Sequence, residues 1–432
     1  MSTALKIGIA GLGTVGAGVV KILADNEKAI SARAGREIAV TAVSARDRSR
    51  DRGVSLDGLI WYDDAIDLAT DENVDVVVEL IGGSDGIAKN LVEAALTNSK
   101  HVVTANKALI AHHGLDLAKR AERADVSLAY EAAVAGGIPI IKALREGLAA
   151  NTIQGVHGIL NGTCNYILTN MTESGHPFDD VLAEATELGY AELDPSFDVD
   201  GIDAAHKLAI LASVAFGTEV DFDSVYVEGI RHVSPVDIHF ARQLGYGIKL
   251  LGVAKRREDG VEQRVHPCMV PVDSPINHVS GVYNGIVVDG DFVDATLYEG
   301  RGAGEGPTAS AVVADIIDIA RGSRVPTFGV ATHDLQPSKT VPMSDHVGPY
   351  YVRLTVIDKP GVFADVAACL KSNDVSMGSV LQHSRDPGEP VAVVLTLHET
   401  EERAMVMTLA EIEALDLVVE PPVMIRIEEF SD

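Results

Sequence analysis

Lys6–Ala10 (KIGIA) is a short, mostly apolar run that stops at Gly11, and Thr14–Leu23 follows with apolar positions three and four apart. So brief a run predicts a strand, and the spacing after it predicts a helix. Ile38–Val43, Val74–Leu80 and His101–Thr104 repeat the strand pattern with β-branched residues, while Ala88–Leu96 and Leu115–Ala124 carry the helical period. Strands alternating with helices predict parallel βαβ units, whose strands are apolar because helices cover both faces of the sheet. Residues 1–130 are therefore expected to form a doubly wound, Rossmann-type nucleotide domain in an α/β chain.

The pattern changes after Tyr130. Glu131–Ile141 (EAAVAGGIPII) is glycine-rich and turn-prone, and a mixed α+β region follows to about residue 325. Within it Val236–Leu251 predicts a helix, and Gln263–Val270 and Gly285–Val288 predict strands. Pro307–Ala320 predicts a helix with proline just inside its start and Gly322 just past its end. Residues 326–348 are polar with several prolines and are read as a linker. From 349 to 432 the expected elements are Tyr350–Ile357, Met377–His383, Val391–Leu397 and Val423–Ile427 as strands, with Val362–Leu370 and Glu402–Ala414 as helices. That order, βαββαβ, predicts a separate ferredoxin-like unit.

Composition narrows the classes. The 432 residues suggest two to four domains, and 47% hydrophobic with 23% charged residues exclude a disordered or collagen-like chain. Thirty-five Lys and Arg face 63 Asp and Glu, for a net charge of −28. So acidic a surface repels phosphate backbones and anionic lipid, so neither nucleic acid nor membrane is an expected partner. A local basic pocket can still hold an anion. The cysteines, Cys164, Cys268 and Cys369, are odd in number and scattered, without CxxC spacing, so no disulfide framework is expected. A strand begins almost at once and no long apolar stretch follows, which predicts a cytoplasmic protein without a targeting segment.

Gly11-Leu12-Gly13-Thr14-Val15-Gly16 is GxGxxG between a strand and a helix. The first glycine allows the tight turn, the second lets the backbone approach a pyrophosphate, and the third lets helix and strand pack closely. Free N–H groups at Thr14, Val15 and Gly16 would face the anion. The alternative is a packing turn. The second strand ends in Ser44-Ala45-Arg46-Asp47-Arg48, with no acid at the tip where NAD sites usually carry one. A guanidinium at Arg46 can grip a 2′-phosphate, so NADP is the preferred cofactor. Asp47 keeps NAD possible, and the arginines also suit a solvated surface.

Gly189–Lys207 (GYAELDPSFDVDGIDAAHK) packs five carboxylates into a loop and the start of a helix near Gly201. Asp203 and Lys207, four apart, share one helix face, and Glu192 and Asp198 can converge on it from the loop. Carboxylates suit the ammonium and hydroxyl of an amino acid, and a lysine can exchange a hydroxyl proton during hydride transfer. Burial would lower that lysine's pKa and the carboxylates would raise it. The competing reading is an acidic loop with an ordinary ion pair. Lys107 follows the strand His101–Thr104, at the edge that lines the crevice in doubly wound sheets. The histidines, His112 and His113 among them, form no metal pattern and are read as mainly surface residues. Cys164, in a turn opening a helix, has no adjacent histidine and is not expected to be a nucleophile.

At these residues the chain resembles the homoserine dehydrogenases. GLGTVG, TANK, NGTCNYIL (Asn161–Leu168), GYAELDPSFDVDGIDAAHKLAILA and GAGEGPTASAVVADI (Gly302–Ile316) occur in the family's order. The resemblance implies NAD(P)-dependent interconversion of L-homoserine and L-aspartate 4-semialdehyde, on the route to threonine, methionine and isoleucine. It implies a catalytic and dimerisation domain over 131–325, with about 305–325 returning to the nucleotide domain, in a homodimer or homotetramer. It makes Lys207 the proton donor and Lys107 a second active-site lysine near the cofactor. Glu192, Asp198 and Asp203 become substrate-binding carboxylates, Gly189 and Gly304 cofactor contacts, and Glu131, Val134, Gly136 and Ile138 a sodium site built largely from carbonyls. Leu193 and Cys164 depart from the residues usual in the family. Residues 349–432 resemble an ACT domain, with Asp358-Lys359-Pro360-Gly361-Val362-Phe363 as its first turn. That implies an amino-acid effector, L-threonine, near Asp358 and Gly361. A non-catalytic amino-acid sensor would keep the glycines but has no need of Lys207 beside carboxylates.

Overall fold

The computed structural model describes residues 3–382 and 386–430. Its first sheet has six parallel strands: β1 (Leu5–Ala10), β2 (Ile38–Ser44), β3 (Ile60–Tyr62), β4 (Val76–Glu79), β5 (His101–Thr104) and β6 (Leu128–Ala129). Their order is β3-β2-β1-β4-β5-β6. The chain reverses direction across the sheet between β1 and β4, which opens a crevice beyond the carboxyl ends of those strands. Side chains alternate between faces. Ile7, Ile9, Val76 and Val78 pack with the helices Thr14–Asp25 and Glu305–Arg321, while Val77 and Val102 pack with Ile87–Thr97 and Lys107–Arg123. The helix Glu305–Arg321 thus comes back from the second half of the chain to cover the nucleotide domain. It crosses the first helix so closely that a Cβ at Gly18 would lie 2.8 Å from Glu305 Cγ.

The second sheet holds β7 (Ile153–Ile159), β8 (Tyr226–Val227), β9 (Tyr246–Arg257), β10 (Gly260–Pro271), β11 (Tyr283–Gly290), β12 (Asp294–Arg301), β13 (Val347–Ile357), β14 (Met377–Leu381), β15 (Pro390–Glu401) and β16 (Val423–Ile427). The order is β12-β11-β7-β9-β10-β16-β13-β15-β14, with β8 beside β10. β16 runs parallel to β10, Cys268 opposite Arg426, and antiparallel to β13. The last strand of the chain therefore joins the C-terminal unit to the β7–β12 part of the sheet. Within that unit, β16-β13-β15-β14 with the helices Val362–Ser372 and Glu402–Glu413 is a ferredoxin-like arrangement.

Several expectations change. The helix over Val236–Leu251 covers only Pro235–Gln243, after which Gly245, at φ +86°, turns the chain and Ile248–Val253 continue as β9. Ile248–Val253 is buried throughout and apolar but for Lys249 and Gly252, a stretch that satisfies either conformation, and pairing with β7 and β10 decides it. Residues 326–348 are no free tether. Gln336 bridges to Thr218 and Thr340 to Val261, and Phe328, Leu335, Val341 and His346 are buried. The helix expected from Leu115 starts at Lys107, because the Asn106 side chain accepts a bond from Leu109 N. The strand expected to reach His383 ends at Leu381; His383 itself, like Ser431 and Asp432, lies outside the described residues. The described histidines lie mainly at the surface, as expected, with His157, His206, His266 and His346 the buried exceptions. Among the described residues no helix is long and apolar enough to cross a membrane.

Candidate active site

The glycine loop leaves β1 where each residue meets a different constraint. Gly11 has φ +98°, and a Cβ there would lie 2.5 Å from Leu80 O. A Cβ at Gly16 would lie 2.1 Å from Gly11 O, so the helix can sit this close only without a side chain. Gly13 faces open space, with nothing within 4 Å. The helix begins at Thr14 with no side-chain cap and no acid in its first turn, so the N–H groups of Thr14, Val15 and Gly16 are free to meet an anion. Gly11 and Gly13 border a cavity of about 810 Å³ at the strand ends. Its far wall is Arg46, Asp47, Arg50 and Arg52.

These wall residues do different work. Asp47 Oδ1 accepts from Ser49 N at 2.8 Å and from Ser49 Oγ at 2.7 Å, and those bonds hold its carboxyl below the usual range. Arg52 donates from Nε to Leu12 O at 3.0 Å and from Nη1 to Arg50 O at 2.7 Å, and its guanidinium lies 5.5 Å from the Trp61 ring. It ties the 46–53 loop to the glycine loop. Arg48 packs on Trp61 at 5.7 Å and does not line the cavity. Arg46 and Arg50 are exposed at the rim.

A second cluster forms where the two domains meet. Lys107 stands at the start of its helix, just beyond β5. Its Nζ lies 2.9 Å from Asp203 Oδ1, an acid at the start of the helix Ile202–Phe216. Lys207, one turn further along that helix, donates to Asp203 Oδ2 and to Leu160 O, both at 2.7 Å. Burial opposes charge on Asp203, but the two ammonium groups outweigh it and hold the carboxyl well below its ordinary range. Asn161 donates from Nδ2 to Asp203 Oδ2 at 2.8 Å and to Asp198 Oδ1 at 2.7 Å. Its Oδ1 accepts from Cys164 N and caps the helix Gly162–Ser174. The Asp198 side chain also accepts from Thr163 Oγ1 at 3.3 Å. Cys164 is buried, its Sγ donates to Asp198 O, and burial pushes its thiol pKa well up, as suits a packed residue rather than a nucleophile.

The structure brings together Lys207, Lys107, Asp203 and Asp198. It leaves Glu192 exposed on the loop, bonded to none of the described residues, beside a Leu193 that is 97% exposed. Gly189 (φ +76°) follows the helix Phe178–Glu187, and Gly304 (φ +114°) caps Glu305–Arg321; neither borders the nucleotide cavity. Glu131 is buried. Its carboxylate accepts from Ile141 N and Lys142 N, both at 2.9 Å, while burial and Asp315 push its pKa up to about 7. Ala135 and Gly136 both have positive φ, and the carbonyls of Val134 and Gly136 take no hydrogen bond from the described residues. Asp358 and Gly361 border a separate cavity of about 270 Å³ in the C-terminal unit.

Sequence reasoning missed Asn161, Arg50 and Arg52. Asn161 lies in the turn read as opening a helix, but its capping bond and its bonds to two distant acids were not legible there. It also missed Glu79, whose carboxylate accepts from Ile81 N, Gly82 N and Thr104 Oγ1 and so fixes the loop after β4 beside the crevice.

Known proteins share this arrangement. Residues 139–317 match the homoserine dehydrogenase family model, and residues 11–131 match the model of that family's NAD-binding domain. The chain is 46% identical to the homoserine dehydrogenases of Neisseria gonorrhoeae and of Pseudomonas aeruginosa, over 99% of each chain in both cases. Among solved structures, a homoserine dehydrogenase from Thiobacillus denitrificans superposes with a TM-score of 0.94 at 45% identity, covering 99% of both chains. A hyperthermophilic archaeal homoserine dehydrogenase in complex with NADPH matches with a TM-score of 0.65 at 27% identity, covering 75% of this chain and 100% of its own. With its glycine loop set against a crevice and its paired lysines on one buried acid, the chain belongs to the homoserine dehydrogenase family and is an NAD(P)-dependent oxidoreductase.

Proposed function

We propose that this enzyme reversibly reduces L-aspartate 4-semialdehyde to L-homoserine with Lys207 as the proton donor, and that it prefers NADP. The observation that carries the site assignment is Asp203, held between Lys207 and Lys107 where the catalytic domain closes on the carboxyl edge of the nucleotide sheet. The open space at Gly13 and the uncapped first turn fit a dinucleotide pyrophosphate. When bound, the cofactor supplies the hydride. Lys207 protonates the forming alkoxide, and its positive charge stabilises that oxygen. Asp203 and Leu160 O fix the direction of its Nζ. Lys107, on the other Asp203 oxygen, orients the reacting end of the substrate. Asp198 lines the polar wall through Asn161. Glu192 is assigned the substrate ammonium, which requires its loop to move inward from its present exposed position.

The NADP preference rests on Arg46 and Arg50 at the cavity rim, with the Asp47 carboxylate occupied by Ser49. The relative solved with NADPH supports the same choice. Gly189 and Gly304 are placed at the cofactor by motif position. The turn at 131–138 suits sodium, a hard cation, through the carbonyls of Val134 and Gly136 with those of Glu131 and Ile138. The Glu131 side chain is already committed to two backbone N–H groups.

The C-terminal unit is read as an ACT domain that binds L-threonine as a feedback effector. Its support is the small cavity at Asp358 and Gly361, next to the first turn of the helix Val362–Ser372. The reading extends to a role in threonine, methionine and isoleucine biosynthesis and to a homodimer or homotetramer, both by family resemblance. NADPH oxidation with aspartate 4-semialdehyde, with and without threonine, tests the reading. Turnover that threonine slows is expected, and no turnover with the semialdehyde overturns it.

A further inference from the structure

We propose that Arg426, on the last strand of the chain, is a positioning residue for the substrate site, acting through Glu228 on the segment that carries Asp198 and Asp203. The proposal rests on the assignment of Asp203 and Lys207 to the active site. Arg426 is 3% exposed and lies on β16, the strand that joins the C-terminal unit to the catalytic sheet. Its Nε and Nη2 donate to Glu402, an acid of its own unit. Its Nη1 donates to Glu228 Oε2 of the catalytic domain at 2.8 Å. The guanidinium lies 5.1 Å from the Tyr226 ring, and Tyr226 Oη donates to the same Glu228 oxygen at 3.1 Å. One carboxylate would neutralise Arg426, so the second ties the two units together by charge.

From Glu228 the contacts run toward the site through main chain. Glu228 N donates to Val265 O at 2.8 Å, so the residue continues the edge of β8 against β10. At Gly229 a Cβ would lie 2.3 Å from Val199 O and 2.6 Å from Asp200 Cα, so the two backbones touch. Ile230 N donates to Val199 O at 2.9 Å, and Arg231 reaches Asp200 and Ser196 Oγ. Residues 228–231 thus grip the short helix Ser196–Val199, which carries Asp198. Asp198 meets Asn161, and Asn161 meets Asp203. A packed interior passes displacement along such contacts rather than absorbing it.

The test uses the full-length enzyme, Glu228→Gln, Arg426→Gln and the double variant, with Asp203→Asn as a control. For Glu228→Gln, KM for homoserine is expected to rise about three- to tenfold, while kcat and KM for the nicotinamide cofactor stay within about twofold. Arg426→Gln is expected to show the same split, and the double variant no more than the larger single effect, because both act through one bond. If Arg426→Gln fails to fold, Glu228→Gln alone decides. An unchanged homoserine KM in a folded Glu228→Gln overturns the proposal. So does a uniform fall in kcat at constant KM, the signature of fewer folded molecules. If Asp203→Asn is inactive while Glu228→Gln is unchanged, the positioning role alone has failed; if Asp203→Asn is fully active, the site assignment has failed.

Discussion

Replacing Asp203 with asparagine keeps the shape of the side chain and removes the charge that two lysines share. The separations are 2.7 Å to Lys207 and 2.9 Å to Lys107. At an effective dielectric of about 20, each pair attracts by roughly 6 kcal/mol before desolvation is counted. Removing one partner of a buried pair costs about 3–5 kcal/mol after that offset. Because the Lys107 side chain is 32% exposed and water screens part of its charge, the low end applies, about 3 kcal/mol. The carboxyl is already held below its ordinary pKa when folded. Its stabilisation is therefore present above the unfolded value of about 3.9 and is lost as pH falls toward the folded value. The melting temperature of Asp203→Asn should lie below wild type by a constant gap from about pH 5 to 8, narrowing below about pH 4. With Lys207 no longer aimed, kcat should fall by about 10²-fold. Thermal melts across pH, paired with steady-state kinetics, check both. Wild-type melting and turnover in Asp203→Asn would show that the shared carboxylate neither stabilises the fold nor aims Lys207.

Other outcomes follow from the nucleotide crevice. Arg46→Ala should raise KM for NADP and leave KM for NAD unchanged; equal effects would remove Arg46 from 2′-phosphate recognition. Arg52→Met should weaken both cofactors alike, because Arg52 ties the rim loop to Leu12 O rather than pointing at a phosphate; a selective loss of NADP would contradict that. Gly11→Ala should lower the melting temperature, since φ is +98° and the new Cβ meets Leu80 O at 2.5 Å. Gly13→Ala should melt like wild type yet bind either cofactor poorly, because its methyl fills only the space left for the pyrophosphate. Cofactor titrations and melts separate the two glycines.

Much of this was legible in the chain because local rules and the fold agree. His101–Thr104 and Val423–Ile427 read as strands with the limits observed, being short runs rich in β-branched residues, the second set off by Pro421 and Pro422. Asp203 and Lys207 were visible as neighbours because four residues return a helix to the same face. What failed was an exposed edge strand and features that depend on tertiary partners. β12 was missed because, as an edge strand, it exposes most of its side chains and shows no apolar run. β9 was misread because its burial comes from β7 and β10 on either side. Asn161 binds acids 37 and 42 residues away, which no spacing rule reaches. The continuation of the sheet into the C-terminal unit runs through two residue pairs of β10 and β16, strands far apart in the chain, and is backed by side-chain bonds such as those of Glu428 with Arg264 and Arg353 with Asp237.

The proposed mechanism turns on the Lys207 amine meeting the substrate oxygen. Turnover of homoserine by Lys207→Ala, measured beside homoserine binding, tests it most directly. A fall in kcat of roughly 10²–10⁴-fold with binding largely kept is expected. Near-normal kcat in that variant would contradict it.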